Sequence, residues 1–230
     1  MEGLENTYKV VDLKKSYGDL KVLDGITMEF KVGKVTAILG PSGSGKTTMF
    51  NILMDNINDF TGEIRGFKDC DISSIFQEHR LIPWKNVYEN MEFVLRDKIP
   101  KESLKEYIGN YLELVGLKEY INYYPKSLSG GMKQRVNIAR AFAYPSEVLL
   151  MDEPFKSLDN RTKNDIYNLF RELMMNSKRA VILITHDIDE AVALGDTIVI
   201  FSDKPTKIKA VIGNSEGSKV SAKKKIESIL

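Results

Sequence analysis

A chain of 230 residues is modestly longer than the ~150 residues of an average domain, which points to one large domain or to one with an embedded subdomain. Hydrophobic residues at 43% and charged residues at 28% are ordinary globular usage and exclude a collagenous, coiled-coil or disordered chain. The net charge of +1 conceals an asymmetry: positions 204–230 hold seven lysines and two glutamates, a local +5, leaving −4 for the first 203 residues, which argues against a uniformly basic nucleic-acid binder.

The longest apolar runs, at 181–184 and 198–201, fall far short of the ~18 residues of a membrane span. The opening MEGLENTYKV has neither the basic start nor the apolar stretch of a secretory signal. Cys70 is the single cysteine, so no intrachain disulfide framework exists and a reducing compartment is expected. With only His79 and His186 beside it, a His/Cys zinc site is disfavoured.

In chain order, apolar β-type runs appear at 8–13, 26–30 and 35–39. The third ends in a glycine-rich stretch and leads into helix-forming residues 46–54. A strand at 72–76 follows. Between about 86 and 128 the strand signal vanishes, and Leu104, Ile108, Tyr111, Leu112 and Val115 repeat at helical spacing. A helical subdomain inserted at about 86–140 is therefore expected. Further short apolar runs lie at 148–151, 181–185 and 197–201, each set apart by helix-length segments. Continuous rather than alternating apolar residues are what strands buried on both faces require, so the chain reads as an α/β protein with a mostly parallel core sheet. Positions 213–218 read as a flexible break before a basic tail over 213–230.

Two motifs carry chemistry. Gly40-Pro41-Ser42-Gly43-Ser44-Gly45-Lys46-Thr47 fits G-x-x-x-x-G-K-[ST] between an expected strand and an expected helix. Its glycines let backbone N–H groups turn towards phosphate oxygens, and the helix N-terminus adds its positive end. Lys46 is then the mobile charge for the outer phosphates, and the Thr47 hydroxyl a Mg²⁺ ligand. Asp152, delivered by the apolar run 148–151, is placed to hold Mg²⁺. Glu153, next in the chain, is the candidate base for the attacking water.

Leu128-Ser129-Gly130-Gly131-Met132-Lys133-Gln134-Arg135 narrows the class: with the two motifs above it resembles the ATP-binding-cassette family over nearly all of residues 8–212. The resemblance implies a P-loop NTPase fold with an N-terminal antiparallel β subdomain and one ATPase domain over 1–212. It implies an ATP and Mg²⁺ site formed by Tyr17, Gly40, Pro41, Ser42, Gly43, Ser44, Gly45, Lys46, Thr47 and Thr48, completed by Ser129, Gly130, Gly131 and Asp159 of a second copy. Tyr17 stacks on the base in that scheme, and Asp159 belongs to the dimer-seam triplet Ser157-Leu158-Asp159. Gln77 reaches Mg²⁺ and the attacking water, and His186 holds the γ-phosphate. Met132 departs from the family's usual glutamine. His79 has no assigned role, and Trp84 reads equally as core or as an interface anchor.

The stretches Leu81-Ile82-Pro83-Trp84, Val87-Tyr88-Glu89-Asn90 and Met151-Asp152-Glu153-Pro154-Phe155 are similar to importer subunits of the nitrate, sulfonate and taurine group. The resemblance thus implies an ATPase on the cytoplasmic face of the membrane, partnered by a transmembrane permease and indirectly by an extracytoplasmic substrate-binding protein. The alternative is a soluble cassette ATPase acting on nucleic acid or ribosomes.

Overall fold

A computed structural model of the chain describes residues 7–68, 70–156, 158–214 and 219–230. Ser157, and positions 215–218 of the expected flexible break, lie outside the described residues. The chain divides into two compact units: residues 1–72, 147–153 and 178–230 form one, and residues 73–146 and 154–177 the other.

In the first unit β1 (Thr7–Tyr17), β2 (Leu20–Lys31) and β4 (Thr61–Arg65) form an antiparallel sheet in the order β2-β1-β4. Both long strands extend beyond their apolar runs because ladder pairing carries charged residues such as Lys14 and Lys15 along. β4 has one apolar residue, Ile64, and takes its register from β1. Tyr8 packs edge-on against Phe67, as Phe30 does. Burial, with Cys70 and Glu147 nearby, pushes the Tyr8 phenol up to about 12.

The second sheet of this unit runs β6 (Val148–Asp152), β7 (Ala180–Thr185), β3 (Val35–Leu39) and β8 (Thr197–Phe201), all parallel, with β9 (Ile208–Gly213) antiparallel against β8. Every residue of β3 and β7 is buried, as the continuous apolar runs require. Burying Val181, Ile182, Leu183 and Ile184 contributes roughly 6–12 kcal/mol before chain entropy is charged against it. Helices α1 (Lys46–Leu53) and α6 (Ile188–Leu194) follow β3 and β7.

The segment read as a basic tail behaves differently. Residues 219–229 form helix α7 (Lys219–Ile229), with Ala222 and Ile226 buried one turn apart and Lys223 ion-paired to Asp189 of α6. The lysines face outwards while the apolar i, i+4 pair docks the helix.

The second unit takes in β5 (Ile72–Ile75) from its second residue, Ser73, and is otherwise helical: α2 (Val87–Leu95), α3 (Lys101–Leu114), α4 (Gly130–Ala143) and α5 (Asn160–Met175). Asn86 and Glu89 close a capping box at the start of α2. The core combines Val87, Met91 and Leu95 of α2 with Leu104, Ile108 and Leu112 of α3 and Val136, Ala139 and Ala143 of α4. The apolar stripe read from the sequence is the buried face of α3. The α/β class, the antiparallel sheet and the mostly parallel core sheet are all as expected. Among the described residues no helix is long and apolar enough to cross a membrane.

Candidate active site

Parallel register gathers the chemistry of the first unit. Leu39 of β3 pairs with Thr185 of β7, and Asp152 of β6 pairs with Ile184 of the same strand. The three strands therefore end level with one another, and Gly40, Glu153 and His186 are the residues that leave them. Strand spacing of ~4.8 Å puts the backbone of the glycine loop about 10 Å from that of Asp152, with β7 between. This edge, outside the carboxyl ends of parallel strands, is where open α/β sheets bind ligands.

The loop at 40–45 is tightly built. Ser44 N–H donates to Pro41 O at 3.2 Å. Gly43 and Gly45 both sit at φ 82, the left-handed region that disfavours any side chain. A Cβ on Gly45 would lie 2.8 Å from Val22 Cγ1 and 2.9 Å from Leu23 Cδ2, so β2 packs directly on the loop. Lys46 is buried at 6% exposure. Its ammonium donates to Gly40 O at 2.7 Å and Pro41 O at 2.8 Å, so the charge lies along the loop's own backbone. A backbone drawn this close, a buried ammonium and the N-terminus of α1 fit an anionic phosphate chain.

The donor set also fits magnesium. Thr47 offers a hydroxyl and Asp152 a carboxylate, both hard oxygen ligands, and among the described residues no three His, Cys, Asp or Glu converge. An ion held there would lean on phosphate oxygens and water, as Mg²⁺ does.

Glu153 stands at φ 44 with its N–H donating to Ile184 O at 2.9 Å. A non-glycine residue in that region stores strain of ~1–3 kcal/mol. The turn brings Glu153 Oε1 to 2.9 Å from His186 Nδ1. When Glu153 is ionised its carboxylate only accepts, so in that pairing Nδ1 carries the proton and Nε2 is the ring's remaining nitrogen.

Tyr17 ends β1 half-exposed, at 49%. The Lys15 ammonium lies 4.5 Å from its ring centroid and is itself pinned by Asp59 Oδ1 at 2.6 Å. No sequence signal marked Lys15. Thr206 was equally silent, although its hydroxyl donates to Ser44 O at 2.6 Å.

The other candidates belong to the second unit. Ser129 caps α4, accepting from Met132 N–H at 3.2 Å, which uses a lone pair and keeps its proton for donation. Gly131 lies against α5: a Cβ there would stand 2.8 Å from Thr162 Cγ2. Asp159 caps α5, accepting from the Arg161 and Thr162 amides and, at 2.6 Å, from the Thr162 hydroxyl. That hydroxyl bond, foremost, holds the Asp159 carboxyl below its ordinary value. Thr162 thus touches both Gly131 and Asp159. Gln77 is exposed beyond β5. The following loop is tied to α4 by Arg140, whose Nη1 donates to Arg80 O at 3.1 Å and whose Nη2 donates to His79 O at 3.0 Å. Burial lowers the Arg140 guanidinium to about 10. His79, bland in the sequence, is pushed below its usual value by burial and then by Lys133, against a backbone hydrogen bond with Gly130. Trp84 is 76% exposed.

Known proteins resemble this chain in sequence and in fold. A family profile described as "ABC transporter" matches residues 23–156. The aliphatic sulfonates import ATP-binding protein SsuB of Bacillus cereus is 42% identical over 208 residues, 87% of this chain and 81% of that protein. An uncharacterised ABC transporter ATP-binding protein of Methanocaldococcus jannaschii is 36% identical over 91% of this chain and 80% of its own length. CbiO1 of Clostridium perfringens, part of an ABC transporter complex, superposes with a TM-score of 0.80 at 28% identity, covering 95% of this chain and 92% of its own. A dimeric bacterial ABC transporter cassette superposes with a TM-score of 0.76 at 29% identity over 90% and 99%.

Proposed function

Because the chain belongs to the ABC transporter family, as an ATP-binding subunit with ATPase activity, we propose that it powers an importer of the nitrate, sulfonate and taurine type, with aliphatic sulfonates the first substrate class to test. The observation that carries the catalytic part is the Glu153–His186 contact of 2.9 Å at the ends of adjacent parallel strands. A relative that is 42% identical is named as an aliphatic sulfonates import ATP-binding protein, and that supports the substrate class.

In this reading Tyr17 stacks on adenine, and residues 40–48 bind the phosphates through the Lys46 ammonium and through backbone N–H groups, of which Pro41 has none. Thr47 and Asp152 hold Mg²⁺, with Gln77 the third ligand by resemblance. When bound, the ion neutralises phosphate charge and orients the terminal phosphoryl group. Glu153 takes the proton of the attacking water. His186 orients that carboxylate through Nδ1–H, and in its imidazolium form also donates from Nε2 to the γ-phosphate. Ser129, Gly130, Gly131 and Asp159 act on the nucleotide of a second copy, so that two ATP molecules close a head-to-tail dimer. The permease lies in the membrane, this chain against its cytoplasmic face, and a substrate-binding protein delivers cargo outside.

Glu153→Gln removes the base and keeps the shape. Its ATPase rate should fall by ~10²–10⁴-fold while ATP binding persists and size-exclusion chromatography shows an ATP-dependent dimer. Hydrolysis at the unaltered rate would reject Glu153 as the base. Cells lacking the gene should lose growth on an alkanesulfonate as sole sulfur source and keep growth on sulfate; undiminished growth on both would reject the substrate class.

A further inference from the structure

We propose that Thr206 is a positioning residue that sets the orientation of the Ser44–Gly45 peptide, and so aims the Gly45 N–H at the phosphate site. Thr206 lies 162 residues beyond Ser44, in the connection from β8 to β9 and outside the 23–156 stretch matched by the family profile. It is fully buried, at 0% exposure, and its hydroxyl donates to Ser44 O at 2.6 Å.

Two further bonds fix where that hydroxyl stands. Thr206 N–H donates to Val22 O at 2.9 Å, and Thr206 O accepts from Asp24 N–H at 3.0 Å. The residue is therefore laced to β2 on both sides of Leu23, with which it forms an isolated parallel bridge. The same two side chains of β2, Val22 and Leu23, leave room for no Cβ on Gly45. One rigid corner thus touches the peptide at its carbonyl and at its following Cα.

The consequence follows from amide geometry. In a trans peptide the C=O and the next N–H point in opposite directions. Holding Ser44 O on Thr206 turns the Gly45 N–H away from this corner. Without the hydroxyl the buried Ser44 carbonyl loses its partner, and the peptide is free to rotate between Ser44 and the flexible Gly45. In the rotated form a carbonyl oxygen, not an N–H, faces the anion. Nucleotide then binds only the correctly oriented fraction, and its apparent Kd rises by the inverse of that fraction.

This inference rests on reading 40–48 as the phosphate loop, and ADP is the probe because it carries the inner phosphates and needs no dimer. By calorimetry Thr206→Val should weaken ADP binding about tenfold. Thr206→Ser, which keeps the hydroxyl, should stay within about twofold of the wild type. Thr206→Cys, with its weak donor, should fall between. In ¹⁵N spectra of ligand-free protein the Gly45 amide should give one signal in the wild type and in Thr206→Ser, and a broadened or doubled one in Thr206→Val. A folded Thr206→Val protein that binds ADP as tightly as the wild type with an unchanged Gly45 signal overturns the inference. So does a Thr206→Ser protein weakened as much as Thr206→Val. Should Thr206→Val fail to fold, Thr206→Cys decides: wild-type affinity there overturns it. Wild-type protein that binds no ADP rejects the phosphate-loop reading itself.

Discussion

Gly43 and Gly45 share the same backbone angle and differ only in surroundings, which separates two energies that are usually confounded. Both stand at φ 82, but a Cβ on Gly43 meets nothing within 4 Å, whereas on Gly45 it meets Val22 and Leu23 below 3 Å. Alanine at either site pays ~1–2 kcal/mol for the left-handed conformation and recovers ~0.4–1 kcal/mol by stiffening the unfolded chain. Gly43→Ala should therefore lose about 1 kcal/mol. Gly45→Ala adds the overpacking cost of ~1–3 kcal/mol, because Val22 and Leu23 are 2% and 1% exposed and have nowhere to move. Its loss is about 2–4 kcal/mol. At ~2–4 °C per kcal/mol for a chain of this size, Tm falls by roughly 2–4 °C for Gly43→Ala and roughly 4–16 °C for Gly45→Ala. Thermal unfolding of ligand-free protein reads the difference without involving phosphate binding. If the two variants melt within about 2 °C of each other, the close packing of β2 on the loop carries no energy and the argument for Gly45 fails.

Three other perturbations test the second unit and the C-terminal helix. His79 is held below its ordinary value by burial and by Lys133, so the folded state prefers the neutral ring. The resulting stability is complete above the unfolded value of ~6.5 and drains as pH falls through the lower folded value. Urea midpoints of the wild type should therefore decline more steeply than those of His79→Gln between about pH 7.5 and 5; parallel declines would contradict the burial argument. Ile226→Ala should cost ~2–5 kcal/mol, since Ile226 is 0% exposed in α7, and unaltered urea stability would mean that α7 is not docked. Lys223→Met breaks only an exposed ion pair with Asp189 and should be nearly silent.

What could be read from the sequence was whatever is written in neighbouring residues. β3, β7 and β8 announce themselves as unbroken apolar runs, α3 by the stripe Leu104, Ile108 and Leu112, and the phosphate loop by its glycines. β4 was missed because the TGEIR stretch has a single apolar side chain and borrows its order from β1. α7 was passed over because its lysines outnumber the Ala222 and Ile226 pair that docks it, although the i, i+4 spacing was a usable signal. Glu153 and His186 were each identifiable, but their contact depends on the Asp152–Ile184 register, which no local pattern encodes. Lys15 beneath Tyr17 and Thr206 behind Ser44 are products of tertiary packing alone.

The lacing of Thr206 to β2 and to Ser44 has a consequence for how the protein is made. β3 lies between β7 and β8, so the strand that presents the phosphate loop cannot be enclosed until both have left the ribosome. At ~5–20 residues per second, the 162 residues between Ser44 and Thr206 take about 8–30 s to synthesise. Until β7 (Ala180–Thr185) emerges, the glycine-rich loop is attached to an apolar strand with no core-sheet neighbour on either edge, a template for pairing with other nascent chains. The phosphate loop is thus made well before the strands that enclose it.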